Sequence, residues 1–193
     1  MTTTPETFDV EAWLTDAALP EESAVVYKRA DVISELTDLK RRIELARAEE
    51  AEPDFERTAT QALPSQALAD EYEALLKTFS DSALTVYVQA LPQATIDAMR
   101  AKAAEDFADV ESTKANVEFG YRLIAASIVA VKPANGERVP ASFTPESLKA
   151  LEEAVGVPQV QLITIARKKA QDLVPEVDAD FLHKPSGTAT GRE

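Results

Sequence analysis

From Asp31 to Glu50 the apolar residues Val32, Leu36, Leu39, Ile43 and Ala46 recur at alternating steps of four and three, which places them on one stripe of an α-helix. Asp31 is positioned to cap this helix, and Asp38 stands four residues before Arg42, a spacing that favours an ion pair on the solvent face while Lys40 and Arg41 stay hydrated. A period of two governs Leu84 to Leu91, where Leu84, Val86, Val88 and Ala90 alternate with Thr85, Tyr87 and Gln89 until Pro92 stops the run. Ser23 to Lys28, preceded by Leu19-Pro20-Glu21, is short and rich in β-formers and also reads as a strand. Two such strands with a helix between them predict a two-stranded element. An isolated ribbon is marginal in water, so helices must cover one of its faces.

The remaining pattern is helical. Ser65 to Phe79 carries Leu68, Tyr72, Leu75, Leu76 and Phe79 on one side, and Pro92 to Ala104 carries Ile96, Met99 and Ala103. Tyr121 to Val131 is almost continuously apolar, interrupted chiefly by Ser127, and is expected to form the centre of the core. Pro133 to Pro140 encloses an Asn-Gly pair between prolines and predicts a loop or a short hairpin. Thr144-Pro145-Glu146 combines a hydroxyl cap, a proline for the first turn and an acid near the positive end of the helix dipole; the helix it starts carries Leu148, Leu151 and Val155 and stops at Gly156, suited to a left-handed cap. A last helix, Pro158 to Leu173, buries Leu162, Ile163, Ala166, Ala170 and Leu173 and gathers Arg167, Lys168 and Lys169 near its negative end. Glu49 to Gln66 is acidic and interrupted by prolines, which predicts an exposed segment, and Glu105 to Glu118 is a second acidic stretch. The fold class expected is mainly α, a helical domain with a small two-stranded β element, spanning residues 1–174 and followed by a flexible polar tail, 175–193.

Charge narrows the function. With 20 Lys+Arg against 34 Asp+Glu in 193 residues, the formal charge is −14, so phosphate backbones and anionic membrane surfaces are repelled and no nucleic-acid partner is expected. The 45% of hydrophobic residues is enough for a buried core, and the longest apolar run, Leu123 to Val131, is far shorter than the roughly 20 residues that span a bilayer. Met1 to Phe8 has neither a basic region nor an apolar run, so it does not read as a signal or transit peptide.

The absence of Cys removes disulfides, thiolate metal sites and a thiol nucleophile. His183, the single histidine, lies in the polar tail, where no third group would orient it as a base; Asp178 and Asp180 beside it match no metal-ligand spacing. The carboxylates from Glu49 to Glu56 lack the turn glycine of a calcium loop, and the five glycines are isolated, so no phosphate cradle is visible. No catalytic, cofactor-binding or metal-ligating residue is therefore assigned. The residues most suited to anchoring a partner are Trp13, Leu14, Tyr72, Tyr87 and Phe143, chosen for large apolar area alone.

Taken in order, Phe8 to Leu14 with Leu19-Pro20, then Val25-Val26-Tyr27-Lys28-Arg29-Ala30-Asp31-Val32-Ile33-Ser34-Glu35-Leu36, Leu84 to Pro92, Tyr121 to Val131, Phe143-Thr-Pro-Glu-Ser-Leu148 and Val157 to Lys169 resemble the tail assembly chaperones of long-tailed phages that infect actinobacteria. The loop from Pro133 to Pro140 is longer than that pattern expects. The resemblance implies a non-enzymatic protein of the host cytoplasm, not expected in the mature virion, that keeps tape measure protein soluble. It also implies a longer product, made by ribosomal frameshifting, that recruits tail tube subunits, and a buried Ala/Ile-rich helix at Tyr121 to Val131. The charge of −14 and the acidic runs support one alternative, an acidic mimic of DNA that blocks a nucleic-acid enzyme; a third reading, a structural virion component, would require stable self-assembly.

Overall fold

A computed structural model describes residues 9–15, 17–52, 62–108 and 112–173, with the side chains of Trp13 and Ser112 excepted. The expected tail, with Asp178, Asp180 and His183, and most of the acidic segment between Glu52 and Ala62 lie outside the described residues. In chain order the elements are α1 (Val10–Leu14), β1 (Glu21–Tyr27), a 3-10 turn (Ala30–Val32), α2 (Ile33–Glu50), α3 (Pro64–Asp81), β2 (Ala83–Gln89), α4 (Gln93–Asp106), α5 (Ser112–Ser127), β3 (Ile128–Pro133), β4 (Val139–Pro140), α6 (Pro145–Val155) and α7 (Val157–Asp172).

The sheet has four antiparallel strands in the order β1-β2-β3-β4, where the sequence predicts two. The predicted pair does form, Ser23 opposite Tyr87 and Val25 opposite Thr85. The additional strands come from the segment expected to be one buried helix. That segment divides at Ser127, which is fully buried and closes the end of α5 by donating its hydroxyl to the Ile124 carbonyl at 2.7 Å. Beyond it the chain is β-branched, Ile128-Val129 and Val131, and extends alongside β2 with a bulge that leaves Val129 without a partner opposite. The Asn-Gly pair does not occupy the centre of a hairpin turn. The Gly136 N–H donates to the Pro133 carbonyl at 3.1 Å, which puts Ala134 and Asn135 at the corners, and among the described residues no non-glycine has a positive φ.

Neighbouring antiparallel strands must be joined at one end, and here the first two joints are pairs of helices. An antiparallel helix pair carries the chain out and returns it, so α2–α3 connects β1 to β2, and α4–α5 connects β2 to β3. One face of the sheet, Ala24, Val26, Val86, Val88 and Ile128, is buried against Val160, Ile163 and Ala166 of α7, Ile124 of α5 and Leu148 of α6. The polar ends of this layer are closed by side chains: Gln159 Oε1 accepts the Tyr27 N–H at 3.1 Å, and Gln171 accepts from the Leu91 N–H at 3.0 Å while donating to the Leu91 carbonyl at 3.2 Å. On the opposite face Arg138 reaches back from the β3–β4 loop, lies 4.1 Å from the Tyr87 ring centre and bonds Glu21 at 2.7 Å.

The helix starts follow the sequence unevenly. Thr144 caps α6 in a reciprocal box with Ser147. Asp31 does not cap α2; its carboxylate is held by Arg29 at 2.9 Å within the 3-10 turn, and Val32 occupies the N-cap. Asp38 pairs with Arg41, one helical step nearer than the expected Arg42. Gly156 separates α6 from α7 with φ 86° and ψ 154°, an extended conformation of positive φ rather than the expected left-handed helical one.

Several carboxylates are held below their ordinary pKa by hydrogen-bond donors: Asp106 by Lys102 first and then Arg122, Asp81 by Lys77 first and then the neutral amide of Asn135, and Asp31 by Arg29. A depressed folded-state pKa means that the unfolded chain takes up protons first as acid is added. Stability contributed by these groups is complete above the ordinary carboxylate range and is lost as pH falls through the lowered values. The Tyr121 hydroxyl donates to Glu152 at 2.8 Å and is pushed the other way, above its ordinary value, so its contribution is lost as pH rises through the alkaline range. The urea midpoint is therefore expected to decline from a plateau on both sides. In Asp106→Asn the acid limb should flatten, a comparison that urea titrations at fixed ionic strength can make.

Candidate functional site

The helix pair α2–α3 carries a small core of its own. Leu39 and Ile43 of α2 are buried, and Leu68, Tyr72 and Leu75 of α3 are half-buried. Glu50 holds the outer end by accepting the Ser65 N–H at 2.7 Å and the Ser65 hydroxyl at 2.6 Å, and Tyr27 stacks on Phe79 at 4.2 Å where the pair meets the sheet.

Along one side of this pair runs a groove of about 360 Å³ lined by Lys40, Ile43, Glu44 and Arg47 from α2 and by Ala69, Tyr72, Glu73 and Leu76 from α3. Each helix supplies positions i, i+3, i+4 and i+7, the spacing of residues that share a helix face. The floor is apolar, made by Ile43, Ala69, Tyr72 and Leu76, and Leu76 remains 39% exposed although its place in the stripe predicts burial. Lys40, Arg47, Glu44 and Glu73 stand at the rim and form no ion pair among the described residues. Physically this is the seam of a two-helix layer, an apolar floor flanked by charges of both signs.

Of the residues singled out in the sequence, only Tyr72 lies in this groove. Phe143 is half-buried, packs on the main core and borders a separate hollow of about 280 Å³ between α4, α5 and the start of α6. Tyr87 is half-buried beneath Arg138. Leu14 is 51% exposed on α1, and the side chain of Trp13 lies outside the described residues. Leu14, Tyr72 and Tyr87 sit on three different elements, α1, α3 and β2, and Phe143 on the segment before α6. The other seven groove residues, none of them among the candidate contacts, carry their signal in the shared spacing on two helices; which helix pairs with which is a property of the fold.

A second cluster joins three helices near the end of α4. Glu118, whose side chain is 14% exposed, accepts from Lys149 at 2.7 Å and lies 3.8 Å from Arg122, which bonds Asp106 at 2.7 Å. Every charge in it is paired, so it fastens α4, α5 and α6 together. Among the described residues no group of three or more His, Cys, Asp or Glu side chains is placed to hold a metal ion, and no helix is long and apolar enough to cross a membrane. Comparison with protein-family models, curated proteins and solved structures finds no match to the chain.

Proposed function

We propose that this protein is a non-enzymatic chaperone of phage tail assembly that holds helical segments of tape measure protein in solution. A longer frameshifted product sharing its N-terminal sequence would bring tail tube subunits to that complex. The observation that carries the reading is the open seam of α2–α3, where matched i, i+3, i+4 and i+7 positions on two helices surround an apolar floor containing Tyr72. The sequence resemblance supplies the identity of the client, and the seam supplies a surface of the right chemistry for a long amphipathic helix. A net charge of −14 would keep the loaded complexes apart.

The test is co-expression with tape measure protein followed by pull-down. The native chain should raise the soluble yield of the client. Tyr72→Ala and Leu76→Asp should lower the affinity roughly 30-fold, the equivalent of about 2 kcal/mol at a buried anchor. Because Tyr72 is half-buried, thermal unfolding of each variant must accompany the pull-down, and Lys40→Glu, at the rim, serves as the variant that leaves the helix pair intact. Undiminished recovery of the client by a folded Leu76→Asp protein would remove the seam from the reading. Recovery of a nuclease or polymerase in place of the client would favour the DNA mimic.

A further inference from the structure

Both outer strands of the sheet have a free side, but they are not alike. β4 is two residues long and includes Pro140, a blunted edge, whereas β1 runs for seven residues. The ladder between β1 and β2 is bracketed by the Lys28 N–H donating to the Ser82 carbonyl at 3.1 Å and the Ala90 N–H donating to the Pro20 carbonyl at 2.8 Å. Even-numbered residues of β1 therefore turn their backbone groups toward β2, and the odd-numbered Glu21, Ser23, Val25 and Tyr27 turn theirs outward. Gln159 takes the outward N–H of Tyr27, but the outward groups of Ser23 and Val25 find no partner among the described residues. The Val25 side chain is 39% exposed.

Two further observations lie along this edge. On α7, at 100° per residue, Leu162 falls on the flank shared with Gln159, the residue that reaches around to the outer side of β1; it is 42% exposed, where the sequence pattern predicts burial, and so is Leu173 just past the helix end, at 47%. Glu22 near the start of β1 and Lys28 just past its end, where the Lys28 N–H still bonds the Ser82 carbonyl, form no ion pair among the described residues, while Glu21 and Arg29 are engaged by Arg138 and Asp31.

We propose that the free edge of β1 pairs with β1 of a second copy of this chain, antiparallel and centred on Val25. In that register Val25 lies opposite itself and Ser23 opposite Tyr27, with the outward N–H of Tyr27 passing from Gln159 to the new strand. The two-fold axis sets Glu22 of each copy opposite Lys28 of the other. Shifting the centre to Ala24 keeps the outward groups aligned but puts Glu22 opposite Val26, so the charges select the first register. The two α7 helices come to the same face of the joined sheet, and their Leu162 flanks face each other across the seam.

Sedimentation velocity over a concentration series, at about 0.15 M ionic strength where net repulsion is screened beyond about 8 Å, reads the association directly. The native chain should form dimers. Glu22→Lys and Lys28→Glu should each weaken self-association roughly tenfold or more, because two like-charged pairs replace two opposite ones. An equimolar mixture of the two variants should recover it as a heterodimer, since each then meets its complement. Ser23→Pro, which removes only an outward N–H, should weaken the dimer while leaving the circular dichroism spectrum native. A native chain that stays monomeric at hundreds of micromolar, single variants that dimerise as the native chain does, or a mixture that fails to recover association would each overturn the proposal.

Discussion

Ile163→Ala is expected to lower the free energy of unfolding by about 2–5 kcal/mol, the range for truncating a fully buried aliphatic side chain. Ile163 has no exposed surface and lies at the meeting of α7 with the sheet, in one cluster with Val26, Val86, Val88 and Leu148. The substitution removes every carbon beyond Cβ. The loss has two parts: the transfer free energy of those carbons, and the cavity left between a strand layer and a helix that are each tied by other contacts and cannot collapse fully into the space. Ile165→Ala on the same helix provides the comparison, because that side chain is 55% exposed and its truncation should change stability by no more than about 0.5 kcal/mol. Urea unfolding of both variants, followed by circular dichroism at low protein concentration, separates burial from helix propensity, which is the same in the two cases. Equal effects would mean that α7 does not press on the sheet as described.

Gly156→Ala should cost about 1–3 kcal/mol for a different reason. At φ 86° and ψ 154° the residue occupies a region that side-chain-bearing residues of the L configuration almost never adopt. Space is not the obstacle, because a Cβ built there would meet nothing closer than Pro158 Cδ at 3.7 Å. The cost is therefore conformational, and it falls on the junction that ends α6, through the Gly156 N–H donating to the Glu152 carbonyl at 2.8 Å, and begins α7. A melting temperature lowered by roughly 2–4 °C per kcal/mol is expected for a chain of this size. A semisynthetic chain with D-alanine at the position, whose favoured φ is positive, should melt at least as high as the native one. If L- and D-alanine destabilised equally, the backbone explanation would fail.

What the residues disclosed, and what they withheld, can be traced to the range of the forces involved. The period-two run at Leu84 to Ala90 and the four-three steps of α2 report which side of an element is buried, a local property, and these elements stand where the periodicity puts them. β3 was hidden because the last turns of α5 and the first residues of the strand are both buried, so a single apolar run masks two periods. The change from Ala125-Ala126 to Ile128-Val129 was its only local sign. β4 carries no strand signal, since it consists of a valine and a proline that exist as a strand only by pairing with Val131 and Ala130. The candidate contacts were chosen by size, and size does not distinguish Tyr72, in an open seam, from Tyr87, covered by an arginine that follows it by half a hundred residues in sequence and meets it through the sheet. Gly156 was legible as a helix stop, because glycine at that place interrupts the pattern; its ψ depended on where α7 had to lie.

The two helix pairs inserted between neighbouring strands also bear on how the chain reaches its fold. Tyr27 and Ala83 are paired neighbours in the sheet yet are separated by all of α2 and α3, a distance over which closing a disordered loop carries a large entropy cost. Helices form from local contacts within microseconds, and an α2–α3 pair that has already docked through Leu39 and Ile43 returns its two ends to the same place. Each helix pair thus works as a collapsed spacer that converts a long-range strand pairing into an effectively short one. A sheet with non-local connections is in this way assembled from units that are themselves local, and the order of assembly, helix pairs before strands, is written into the connectivity.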